Sequence, residues 1–157
     1  MQRGLIVVEE TPAHADLLRE AEEHARGADA PLTVMTFATE RDVGEGVEKF
    51  EALGGVEGIT YDDEEEFIDA AEDALSEYVE RVLGDTEISY DVVVEVIDGG
   101  YGTATLAAAD DHGADHVFIT GRRRSPTGKA IFGDWIQRVL LGFGGFVTVQ
   151  TREKEET

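Results

Sequence analysis

The chain has 157 residues, enough for one ordinary domain and too few for two. A hydrophobic share of 41% supports a real core, and the lack of cysteine excludes disulfides, thiolate metal sites, iron–sulfur clusters and cysteine catalysis. With 35 carboxylates against 13 cations and a net charge of −22, the surface as a whole matches neither nucleic acid nor anionic lipid.

No apolar run approaches the roughly 18 residues of a membrane span. Met1-Gln2-Arg3-Gly4 leads straight into an apolar run without a cleavable leader pattern, so a cytoplasmic protein is the expectation. Gly4 to Val8 is short and continuously apolar, as a strand buried on both faces should be. Thr11 and Pro12 open a helix, threonine as N-cap and proline at the first helical position. Leu17, Leu18, Ala21 and Ala25 form its apolar face, His14 and His24 fall on its solvated face, and Gly27 is expected to close it. Leu32 to Phe37 reads as the second strand.

The 38–61 stretch is the least regular. Val43, Val47, Phe50 and Leu53 have helical spacing among five glycines, which predicts a short helix between flexible ends. Asp62 to Leu83 is an amphipathic helix with a stripe of Phe67, Ile68, Ala71, Leu75, Tyr78, Val79 and Val82. Glu64 to Glu66 suit its N-terminal dipole. Tyr90 to Ile97 is the third strand, and Thr103 to Asp111 a short helix ended by Gly113. His116 to Thr120 is the fourth strand, Phe132 to Leu141 a helix that accounts for Trp135 as packing, and Phe146 to Gln150 the fifth strand. A single domain over residues 1–151 is expected, with 152–157 as a charged, fraying tail.

Five strands separated by helices predict an α/β fold: a five-stranded parallel sheet, order 3-2-1-4-5, with helices on both faces. Such folds bind ligands beyond the carboxyl ends of the strands, where the strand order reverses. Here that point lies between strand 1, which ends at Glu9, and strand 4, which ends at Thr120-Gly121.

Charge converges on the same place. Residues 1–120 carry six cations and 31 acids, whereas residues 121–150 carry five cations and one acid. Arg122, Arg123, Arg124 and Lys129 lie within eight residues, which points to an anion. Only three of the cations are lysine, and so acidic a chain fits a halophile, where molar salt cuts the Debye length to roughly 3 Å. Around the cluster, Gly121, Gly128 and Gly133 let backbone N–H groups approach a phosphate, Ser125 and Thr127 offer hydroxyls, and a helix start near Gly133 adds partial positive charge. The alternative is that the arginines are solvated or paired with carboxylates. The loop is not a P-loop: six residues separate Gly121 from Gly128, and Ala130 follows Lys129.

Over almost its whole length the chain resembles the universal stress protein family. Nucleotide-binding members of that family carry Gly, two residues, Gly, nine residues, then Gly-Ser or Gly-Thr after strand 4, and an aspartate at the end of strand 1. Gly121 matches the first glycine and Gly133 the last. Asp115 to Gly121 looks like the family's strand-4 lead-in, and Val139 with Phe146 to Val149 like its ending. The resemblance implies the adenine nucleotide alpha hydrolase-like fold and ATP or AMP held between strands 1, 2 and 4. It also implies a homodimer through residues 146–150. On this reading Glu9, Phe37, Thr120, Gly121, Arg123, Arg124, Ser125, Gly128, Lys129, Gly133 and Asp134 form the site, Phe37 serving either the adenine or the core. The chain departs from the pattern in four ways. The Gly121–Gly133 spacing is one residue short, and the middle glycine falls on Arg123 or Arg124. Asp134 replaces a phosphate-binding hydroxyl. Glu9 replaces the strand-1 aspartate, followed by Glu10 where glycine is usual. On this resemblance the arginines partly compensate, moving recognition from backbone to side chains.

No metal site is expected. His112 and His116 are four apart, but Gly113 separates them and His116 begins a strand; the helix dipole explains His112. No Gly-x-Ser-x-Gly occurs and no serine has an evident histidine partner, so a binding and signalling module rather than an enzyme is expected. The alternative is a dimeric interaction protein that binds no nucleotide.

Overall fold

The computed structural model describes residues 1–9, 12–45, 64–122 and 133–152. Five parallel strands, β1 (Gly4–Val7), β2 (Leu32–Thr39), β3 (Tyr90–Ile97), β4 (His116–Arg122) and β5 (Phe146–Arg152), lie in the order β3-β2-β1-β4-β5. The helices between them are α1 (Pro12–Ala28), α2 (Glu64–Leu83), α3 (Tyr101–Asp111) and α4 (Asp134–Gly142). Residues 40–45 are also helical: Thr39 and Asp42 exchange reciprocal caps, each side-chain oxygen accepting the other's backbone N–H at 3.1 and 2.8 Å.

Alternation along each strand divides the core in two. Ile6, Val8, Leu32, Val34, Val94 and Phe118 face α1 and α2, meeting Leu17, Leu18, Ala21, Ala25, Leu75 and Val79. Leu5, Val7, Met35, Phe37, Val117 and Ile119 face α3 and α4, meeting Ala108, Ala109, Ile136 and Val139. Both sheet faces are therefore covered, which is why β1 reads as an unbroken apolar run.

Boundaries moved where tertiary contacts extend an element. α1 does not end at Gly27 but runs to Ala28. Asp29 then takes a left-handed φ of 52°, and the Ala30 N–H reaches back to the Ala25 carbonyl at 2.9 Å. α3 begins at Tyr101 rather than Thr103, on the extended Gly100. β4 and β5 lengthen together to Arg122 and Arg152, which are paired in register, so the sheet takes the first residue of the expected tail. The N-cap Thr11, Glu10, most of the helix expected around 43–53, the start of the 62–83 helix, Phe132 and residues 153–157 lie outside the described residues.

His24 is exposed, as expected for the polar face of α1, and its ring also lies 5.4 Å from Phe118 and 5.5 Å from His116, edge-on to both, while Nε2 faces Glu20 at 3.3 Å. His116 stacks flat on Phe118 at 4.3 Å and shares a 2.7 Å hydrogen bond with the Thr148 hydroxyl. His24 keeps its place on the polar face of α1, and β4 is close enough for the ring to touch it as well. Beside this cluster the Asp115 carboxylate accepts the N–H groups of Gln2 and Arg3 at 3.0–3.1 Å. These bonds, Arg3's first, hold it below the usual carboxylate range against a smaller opposing effect of burial.

Burial first, and then His24, pull the His116 pKa below its ordinary value; Asp115 opposes this and the N-terminal amine adds to it. The unfolded chain therefore takes up this proton at a higher pH than the folded one. The stability due to neutral His116 is intact above about pH 6.5 and is lost as the pH falls below it. Thermal unfolding from about pH 7.5 to about pH 5 should show His116→Asn responding to acid more weakly than the parent. Equal slopes would remove this role, and the comparison cancels the shared titration of the surface carboxylates.

Candidate functional site

The site is built from strand ends. After β1 the chain turns to α1 on one face of the sheet, and after β4 it reaches α4 on the other. With α1 and α4 on opposite faces, a crevice lies at the carboxyl ends of these neighbouring strands, as in doubly wound sheets. A cavity of about 190 Å³ occupies it, lined by Val7, Val8, Glu9, His14, Phe37, Tyr101, Thr120 and Trp135.

Each lining group is held by its element. Val8 donates its N–H to the Met35 carbonyl at 2.9 Å, and its own carbonyl accepts the Thr36 hydroxyl, which ties the β1 end to β2. Phe37 is buried on the α3/α4 side of β2. Tyr101 opens α3 and Trp135 lies in the first turn of α4, and those helices cross closely at Gly102. A Cβ there would meet Arg138 Cβ at 2.9 Å and Trp135 Cα at 3.1 Å. This approach brings Tyr101 and Trp135 together edge to face at 6.0 Å, with Phe37 at 5.6 Å from Tyr101.

Burial, and then the carboxylates of Glu9 and Asp42, raise the Tyr101 pKa, so its hydroxyl remains a neutral donor. Thr120 Oγ1 is buried and has no hydrogen-bond partner among the described residues. Its in-register neighbour Gln150 likewise has a buried Oε1 without one. A buried polar group left open in this way is suited to a ligand or water.

Of the expected site residues, Glu9, Phe37 and Thr120 converge on the cavity. Gly121 is the next residue of β4, buried and paired with Thr151. Gly133 is the extended N-cap of α4, its carbonyl accepting the N–H groups of Ile136 and Gln137. Asp134 is exposed in the first turn, next to Trp135. Arg123, Arg124, Ser125, Gly128 and Lys129 lie outside the described residues. His14, Tyr101 and Trp135 were not anticipated as lining residues, although each sits within a few residues of a strand's carboxyl end or of the Gly133 turn. Among the described residues, no three His, Asp or Glu side chains are grouped to hold a metal ion, and no helix is long and apolar enough to cross a membrane.

A family model described as the universal stress protein family matches residues 1–143. The fold is similar to that of a universal stress protein from Archaeoglobus fulgidus, at 18% identity and TM-score 0.63, covering 95% of this chain and 93% of that one. It is also similar to the universal stress protein from Archaeoglobus fulgidus in complex with dAMP, at 13% identity and TM-score 0.58, covering 95% and 97%. A third likeness is to a universal stress protein in complex with cAMP, at 12% identity and TM-score 0.57, covering 96% of each chain. No curated protein matches the chain.

Proposed function

The chain belongs to the universal stress protein family, and on that premise we propose that it is a cytoplasmic binding and signalling module rather than an enzyme. Its ligand is an adenine nucleotide, ATP or AMP, or another phosphate-bearing anion at the crevice between β1 and β4. The observation that carries this reading is the convergence of Glu9, Phe37 and Thr120 on one cavity at that point. The complexes of similar folds with dAMP and cAMP support it. Glu9 and the Thr120 hydroxyl suit a sugar or base, and the rings suit a flat heterocycle. The cations of residues 122–129 act for phosphate and Asp134 acts against it.

Denaturing protein purified from a native-like host should release an adenine nucleotide. In calorimetric titration with ATP, AMP and sulfate, Asp134→Ser should tighten phosphate binding by roughly 1 kcal/mol, the scale of one charge at a helix terminus. Arg124→Ala should weaken it by about 1.5–3 kcal/mol if it makes a charged hydrogen bond. If neither the parent nor Asp134→Ser binds any of the three at millimolar concentration, the reading fails in favour of an interaction protein.

That second reading has its own observation. β5 is an edge of the sheet, and Phe146, Leu140 and Leu141 on and beside it are 72%, 42% and 88% exposed. A bare apolar edge without lysine or proline invites strand pairing, and a second copy supplies the matching edge. We therefore read residues 146–150 as a homodimer interface, compatible with either ligand reading. Val147 and Val149 pack on the α3/α4 core, so Phe146 is the more exposed member of that edge. Sedimentation at tens of micromolar should show a dimer, and Val149→Pro should shift it toward monomer. A monomeric parent protein would sink the proposal.

A further inference from the structure

The edge strand β5 has two different faces. Val147 and Val149 pack into the α3/α4 core, so Phe146, Thr148 and Gln150 lie on the other side of the sheet. On that side a ring from β4 holds the strand. His116 is in register with Phe146, 5.9 Å from its ring, and its Nε2 shares a 2.7 Å hydrogen bond with the Thr148 hydroxyl. The same imidazole lies flat on the fully buried Phe118, whereas Phe146 is 72% exposed. One half-buried histidine thus links the core to the bare end of the edge.

Few groups can offset a proton on this ring. α1 brings the His24 ring to 5.5 Å, and Glu20 lies 3.3 Å from His24 Nε2 rather than against His116. Burial, and then His24, work against a cation on His116; Asp115 favours one and the N-terminal amine opposes it. The Asp115 carboxylate is already engaged by the N–H groups of Gln2 and Arg3. β5 faces the ring with Phe146 and Thr148, which carry no charge. Stacking on Phe118 remains attractive for an imidazolium, but it does not replace the water that a charged ring loses there.

We infer that the His116–His24 pair is an acid-sensitive latch on the β5 edge. The neutral pair holds Phe146 and Thr148 in place for pairing with a second copy, and protonation swings His116 toward water and releases the dimer. The inference rests on the homodimer reading above and adds its regulation. With both rings charged, two cations face each other across 5.5 Å, so the second imidazole sharpens the release. Surface charge works in the opposite direction. Two copies of a chain of net charge −22 repel each other, and acid lowers that repulsion. Charge neutralisation by itself gives tighter dimers in acid, whereas the latch gives weaker ones, so the sign of the effect separates them.

The test is sedimentation of the full chain in molar KCl at about pH 7.5 and about pH 5.5, on either side of the ordinary histidine range. The dimer Kd should rise about ten-fold or more at the lower pH, the scale of one linked proton over one pH unit, with circular dichroism unchanged. His116→Asn keeps a hydrogen-bonding side chain near Thr148 and cannot take the charge, so its dimer should hold at both values. His24→Asn, on the exposed face of α1, should reduce the response to pH. A parent dimer that is equally tight or tighter at the lower pH overturns the latch and leaves the homodimer reading standing. A parent that is monomeric at both values overturns both. Dissociation matched in His116→Asn, or accompanied by loss of circular dichroism, assigns the effect to other groups or to global unfolding, and also overturns the latch.

Discussion

Replacing Phe118 by alanine should cost about 3–5 kcal/mol of folding stability, the range for removing a large buried aromatic. Phe118 is fully buried in β4, in register with Ile6 of β1, and one edge of its ring lies near Gly4. On its outer side the ring carries His116, stacked at 4.3 Å, and the edge of His24. The substitution would thus leave a cavity in the α1/α2 core and remove the platform for both imidazoles. For a domain whose whole stability is about 5–15 kcal/mol, the loss is a large fraction. Phe118→Leu keeps most of the volume and should lose clearly less. Urea unfolding of the three proteins checks this. A loss below about 1 kcal/mol in the alanine variant would mean that the core closes over the gap and that the cluster carries little.

Salt should move stability by several kcal/mol in the opposite direction, a scale set by the screening of dense surface charge. Residues 1–120 hold 31 acids and six cations, so most carboxylates cannot find a partner. The ion pairs described are few: Asp16 with Arg19, Glu22 with Arg26, Glu45 with Arg41 and, at 3.8 Å, Asp91 with Arg3. Most of these side chains are largely exposed, so each pair contributes about 0–1 kcal/mol. Self-repulsion is then the larger effect at low ionic strength, and raising it shortens the range of that repulsion. Unfolding followed from about 0.1 M to about 3 M KCl should show a steep gain in midpoint. A flat response would refute both the repulsion argument and the halophile expectation.

The site was only partly legible in the sequence. Glu9 and Thr120 could be placed because they end the two strands at which the order reverses. Phe37 could be placed because it ends the strand beside them. His14 could not, because α1 brings it to the cavity from the α1/α2 face of the sheet. Tyr101 and Trp135 could not, because their meeting depends on how closely α3 and α4 cross. That distance is set by the missing side chain at Gly102, more than thirty residues from Trp135. His24 is exposed on α1, as helical periodicity predicts, but its added contact with Phe118 and His116 of another element was not legible in the sequence.

Periodicity determined what depends on near neighbours. The continuous apolar runs gave strands buried on both faces, the 3.6-residue stripe of Leu17, Leu18, Ala21 and Ala25 gave a helix with one buried face, and their alternation gave a parallel sheet. These patterns hold because each residue's burial follows from backbone geometry within a turn or a pleat. Tertiary structure alone decided the rest. It set the joint extension of β4 and β5 to Arg122 and Arg152, the three-ring wall and the buried Thr120 hydroxyl that has no partner among the described residues. Each of these depends on the register and spacing of segments far apart in the chain, which local composition does not encode.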